Sequence, residues 1–167
     1  MLTWLRVVVL SAVLACGSAG CALGVFHDAI STRLDVTGVE LTQKFVASKR
    51  FKFERDVAAA KGAQIERGWM ELDGNGVDLS ALSRVRIYVI EPGTEARVQI
   101  LEGGGFLPGD TYANLQIKFT EDLRRMVSDQ RVNLEWEIEP NLLYREWDEA
   151  AEISLRFGIT LEVETDE

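Results

Sequence analysis

Four shortages bound what this chain can be. There is one histidine, His27, and it falls in a segment that the sequence assigns to a tether. On that reading the folded body has no imidazole for Ser-His-Asp or Cys-His catalysis, nor for a multi-histidine metal site. There are two cysteines, Cys16 and Cys21, both close to the amino terminus. They sit too near each other and too early to staple a fold, and no further ligands lie nearby to complete a metal site. The apolar run Val7–Ala15 is too short for the ~20 residues that a membrane-crossing helix needs, and extending it to Phe26 takes in three glycines and two cysteines, which makes an uncleaved anchor the weaker reading. Basic charge is also short: 18 Lys and Arg face 27 Asp and Glu, a formal net charge of -9. Nucleic-acid binding calls for a basic footprint, and so does attachment to anionic lipid through basic side chains.

The remainder is the balance of an ordinary globular protein. Of 167 residues, 47% are apolar and 27% charged, enough for one domain with an unstapled core.

The amino terminus has its own order. Met1–Arg6 carries a single positive charge, Arg6; the apolar run Val7–Ala15 (VVVLSAVLA) follows, and then small residues. This is the sequence of regions in a secretory signal. The stretch SAGC ends at Cys21, with Ala19 and Gly20 before the thiol. Together these features resemble the lipobox signal of bacterial lipoproteins. Ser18 stands where that class has a branched aliphatic residue, and Cys16, with Val13 three places before it, is the second candidate acceptor. The resemblance implies that Cys21 takes a diacylglyceryl group, that cleavage precedes it, and that its new amino group is acylated. Two or more buried acyl chains hold a protein to a bilayer where one does so only marginally. Ala22 rather than Asp after the cysteine implies, by the same resemblance, the outer membrane of a diderm bacterium. The expected organisation is a signal peptide over 1–20, a lipidated tether over 21–31 and a domain over 32–167.

The body is dominated by alternation of period two. Ile153, Leu155, Phe157, Ile159, Leu161 and Val163 share one face of a single stretch. Val132, Leu134, Trp136 and Ile138 repeat the pattern against Asn133, Glu135, Glu137 and Glu139. Further strands are expected over Leu34–Leu41, Phe45–Glu54, Ile65–Leu72, Arg84–Val89, Arg97–Leu101 and Leu115–Phe119. In EPGTE, Pro92 and Gly93 suit the two central positions of a type II turn. Helix is confined to two short segments, Asp78–Ser83 and Glu121–Gln130. Each opens on Asp-Leu and runs into a strand beginning Arg-Val, as though one corner recurred. About eight short strands with clean alternation predict an antiparallel β-sandwich, with a closed β-barrel as the alternative.

Candidate chemistry is sparse. Glu135, Glu137 and Glu139 are expected on a solvated strand face. DGNG at Asp73–Gly76 fails as a calcium loop, since Glu71 and Leu82 occupy positions where ligands belong. The glycines at Gly103–Gly105 lack the lysine of a phosphate loop and read as a connector. Trp147 and Tyr144 flank a loop and are the candidate binding residues, because aromatic rings near a loop can stack on sugars. No cofactor, metal or catalytic residue is expected. The predicted function is a non-enzymatic, lipid-anchored envelope protein that binds a protein or glycan or contributes to envelope structure. The alternative is a carboxylate-dependent hydrolase of envelope polysaccharide.

Overall fold

The computed structural model describes residues 24–37, 43–74, 76–141, 143 and 152–165. It is all-β, with eight antiparallel strands: β1 (Gly24–Thr37), β2 (Phe45–Lys52), β3 (Gly62–Gly74), β4 (Leu82–Ile90), β5 (Arg97–Gly104), β6 (Tyr112–Ile117), β7 (Arg131–Pro140) and β8 (Glu152–Thr165). The alternation read from the sequence is the cause. Ile153, Leu155, Phe157, Ile159, Leu161 and Val163 are all buried, as are Val132, Leu134, Trp136 and Ile138.

The pairing has a simple rule. β1 pairs with β8, β2 with β7, β3 with β6 and β4 with β5. The chain is therefore one long antiparallel hairpin, with its tip at the turn between β4 and β5, wound around a core. Further ladders join β8 to β3 and β7 to β4. The resulting order is β1-β8-β3-β6-β5-β4-β7-β2. This is the strand order of a jelly roll, in which β1-β8-β3-β6 and β5-β4-β7-β2 form the two facing halves. The halves join where β5 meets β6, through only Leu101↔Ile117 and Glu102↔Gln116. The register of β5 slips between Ile87 and Tyr88 of β4, leaving Ile100 outside that ladder. Its carbonyl instead accepts from the Lys118 amide at 2.8 Å, which draws β5 towards β6.

Sandwich and barrel are thus both partly right. A single sheet folds over on itself and stops just short of closing, with β1 and β2 as its edges among the described residues. Side chains reach across that seam: Lys49 Nζ donates to Thr32 Oγ1 at 3.1 Å. The two halves touch through Trp136 and Phe157, whose ring centroids lie 5.9 Å apart, and through Gly68 against Leu101. A β-carbon on Gly68 would lie 2.4 Å from Leu101 Cδ1, so only glycine lets the halves approach this closely.

The recurring corner is real. Leu79–Ala81 and Leu123–Met126 are short 3-10 turns capped by Asp78 and Asp122, whose side chains accept from the amides of Ser80 and Arg124. The first leads directly into β4 and the second, after a tight turn, into β7. Gly93 has a φ of 81°, as the type II turn requires.

Several strand boundaries differ, and β1 differs most. It begins at Gly24, before the Leu34 expected for the first strand and the Thr32 expected for the domain, so residues 24–31 are strand and not tether. His27 accordingly lies in a strand, and its Nδ1 sits 2.9 Å from Glu66 Oε2 on the outer surface.

Candidate functional site

The outer face of β7 should be solvated by the alternation of its residues, and Glu135 and Glu139 remain partly open there. Glu137 does not: its side chain is 4% exposed. Three cations cover it. Lys44 Nζ lies 2.7 Å from Oε2, Arg86 Nη1 lies 2.5 Å from Oε1, and Arg97 Nη2 lies 3.2 Å from Oε2. Arg86 also reaches Glu139 at 2.8 Å, and Arg97 reaches Glu135 at 2.5 Å while lying over the Tyr88 ring at 4.1 Å. Burial works against the charge on Glu137, but the bonds from Lys44, Arg86 and Arg97 outweigh it and hold the carboxyl at about 2. The expectation of a solvated Glu137 is therefore corrected. β4 places Arg86 directly opposite it, Arg97 reaches it from β5 one strand further on, and their aliphatic stems exclude water.

The other displaced carboxyl groups move the same way. Asp35 is lowered by a hydrogen bond from Ser154, Asp78 by one from Ser80, Glu102 by Lys118 and Asp122 by Arg124. A glycosidase needs a general acid held above the ordinary carboxyl range. Among the described residues, every carboxyl group whose titration is displaced is displaced downwards.

A second arrangement lies on the outer face of β3 and β6. Trp69 and Tyr112 stack there, with ring centroids 6.0 Å apart and planes inclined by 24°. The indole packs against Gly158 of β8, where a β-carbon would come within 2.2 Å of its ring atoms. Arg67 fixes the edge of the pair. Its Nη2 donates to Tyr112 Oη at 2.5 Å and to Asn114 Oδ1 at 3.1 Å. Beside them runs a groove of about 580 Å³ between β5 and β6, at the end where these strands no longer pair. Tyr112, Asn114 and Gln116 line one side, Arg84 and Glu102 the other, and Gly103–Gly105 lie between.

The residues singled out in the sequence distribute unevenly. Cys16, Cys21, Tyr144 and Trp147 lie outside the described residues. Trp136 is in the core, 1% exposed. Asp78 caps a turn and accepts from the Gly109 amide at 2.7 Å. Gly103 and Gly104, read as connector, end β5 and line the groove. Among the described residues no three or more acidic, histidine or cysteine side chains gather to hold a metal ion, and no helix is long and apolar enough to cross a membrane. The Trp69–Tyr112 pair was not legible beforehand. Alternation places Trp69 on the outer face, but only the fold brings Gly158 beneath it.

No protein-family model matches the chain, and no curated protein does. Solved structures do match. A Desmodium yellow mottle tymovirus chain is 10% identical, with 100% of this chain and 95% of that one covered at a TM-score of 0.38. A turnip yellow mosaic virus chain is 14% identical, covering 97% and 91% at a TM-score of 0.35. The capsid of Helicobacter pylori bacteriophage KHP30 gives 16% identity, 81% and 100% coverage, and a TM-score of 0.31. At these scores the likeness adds nothing to the strand order from which the jelly roll follows.

Proposed function

We propose that this chain is a lipid-anchored cell-envelope protein whose jelly roll acts by binding a glycan or protein partner and not by catalysing a reaction. The observation that supports the non-catalytic part of this reading is the state of Glu137. The best-buried carboxylate among the described residues is also the most completely neutralised, held by three cations as a fixed structural charge. A group so held gives up no proton near neutrality and offers no oxygen to a reacting centre. The lipobox resemblance at Cys21 supports the anchoring half, and Ala22 favours the outer membrane of a diderm envelope.

Metabolic labelling with a palmitate analogue tests the anchor. The expected result is label on the wild-type chain, loss of label in Cys21→Ala, and movement of that variant to the soluble fraction. Label that persists in Cys21→Ala and disappears in Cys16→Ala would move the acceptor to Cys16. No label on any form would remove the anchor.

A further inference from the structure

We infer that the outer surface of β3 and β6 is a carbohydrate-binding site, with Tyr112 backed by Trp69 as the stacking platform and the adjoining groove as the path of the sugar chain. This rests on the binding reading above and names its ligand class.

The argument begins with Gly158. An outward Trp on a sheet normally stands among its cross-strand neighbours. Here the missing side chain at 158 leaves room for the indole edge that carries Nε1, Cε2 and Cζ2 to pack directly against the sheet, which seats the ring. Tyr112 stacks against it and is 44% exposed, which gives the pair an open aromatic face. An aromatic face carries the negative part of its quadrupole and attracts the polarised C–H groups along one side of a pyranose ring.

The rim is equally particular. Arg67 donates through both Nε and Nη2 to Asn114 Oδ1, at 3.2 and 3.1 Å, and Tyr112 Oη donates to the same oxygen at 3.2 Å. These bonds fix the Asn114 amide with its oxygen occupied and its Nδ2 donors turned to the other side. Lys118 Nζ similarly occupies Gln116 Oε1, at 2.7 Å, leaving the Gln116 amide nitrogen as a donor. Two oriented amides beside an aromatic plane suit hydroxyl or acetamido oxygens. A groove of about 580 Å³ with glycine backbone at its base gives room for more than one ring.

Other ligand classes fit less well. Nucleic acid calls for a basic surface, and the chain has a net charge of -9. An apolar protein or lipid contact calls for a continuous apolar patch, whereas Arg67, Asn114, Gln116, Arg84 and Glu102 surround this one.

The test is a titration of the full chain in a non-glycosidic detergent with chitotetraose, cellotetraose and polygalacturonate, read by tryptophan fluorescence and calorimetry. Saturable binding of at least one probe is expected at millimolar sugar or below. Tyr112→Ala and Asn114→Ala are surface changes and should weaken it by roughly tenfold or more while the far-ultraviolet circular dichroism stays unchanged. Gly158→Ala should also weaken binding by lifting the indole. The inference is overturned if no probe binds at millimolar concentration, or if Tyr112→Ala and Asn114→Ala bind as the wild type does. Such failure leaves the anchoring experiment on Cys21 untouched, so the two readings fall separately.

Discussion

At the scale of single residues, Glu137 is the most strongly displaced of the carboxyl groups that shape the acid response of the domain. Its folded carboxyl titrates at about 2, against 4.5 for the ordinary group. A carboxyl depressed by folding stabilises the native state above its unfolded pKa and loses that contribution as pH falls through the folded one. The window is therefore from about 4.5 down to about 2. Between those limits the loss is on the order of 3 kcal/mol. Glu137→Gln removes the charge at every pH and leaves Lys44, Arg86 and Arg97 crowded together. We expect it to cost about 2–3 kcal/mol at pH 7 and to flatten the fall in stability between pH 4.5 and 2. Urea unfolding at a series of pH values measures both effects. A variant with wild-type stability at pH 7 and an unchanged acid slope would mean that the three cations are satisfied elsewhere.

At the scale of elements, β1 and β2 are the edges of the sheet among the described residues, and an unguarded edge is a template for pairing with another chain. Each carries a charge on the face it shares with the core. Lys49 sits on the same side of β2 as Ala47 and Phe51, with Nζ bonded to Thr32 and 5.6 Å from the Phe51 ring. Asp28 sits on the same side of β1 as Phe26 and Ile30, and its Oδ2 is buried with no hydrogen-bond partner among the described residues. A charge pointing inwards at an edge makes it costly to stack a second sheet edge there. Lys49→Val should leave the fold intact and produce concentration-dependent association, visible as a heavier species by sedimentation velocity. A variant that stays monomeric across the whole concentration range would show that the seam side chains do not guard the edge. These same charges explain what the sequence concealed. From Ile153 to Val163 every alternate residue is apolar, so β8 was readable. From Gly24 to Ser31 the inward face includes Asp28 while Val25 and Ala29 face out, so the alternation blurred and the first half of β1 passed for tether. Glu137 was misread for a related reason. Its own strand gives a faultless solvated pattern, and its burial comes from Lys44, Arg86 and Arg97, which reach it only through the winding of the hairpin.

At the scale of the whole molecule, the winding also decides which end of the barrel lies nearest the proposed anchor. Gly24 pairs with Thr165 at one pole, where β2 ends at Lys52 and β7 begins at Arg131. Tyr112 and Gly104 lie at the other pole, beside the strand ends at Gly74, Leu82 and Pro140. β1 alone runs 14 residues between the poles, about 45 Å at the usual rise of a strand. Cys21 precedes Gly24 by so few residues that, fully extended, the link reaches only about 10 Å. If Cys21 carries the lipid, the Gly24 pole rests against the headgroups and the Tyr112 platform faces away from them, open to a polymer in the surrounding space. On the proposed processing Cys16 would be lost with the signal and Cys21 would be blocked by its lipid, so the native thiols would not interfere with a direct test. Lys52→Cys and Leu107→Cys, each labelled with one fluorophore, report the two poles; Leu107 is 66% exposed and adjoins the groove. In proteoliposomes carrying a headgroup quencher, the label at 52 should be strongly quenched and the label at 107 should keep the intensity it has in detergent. Equal quenching at both positions would lay the barrel on its side and place the aromatic platform within reach of the membrane surface, where a glycan of the bilayer itself would become the ligand to test first.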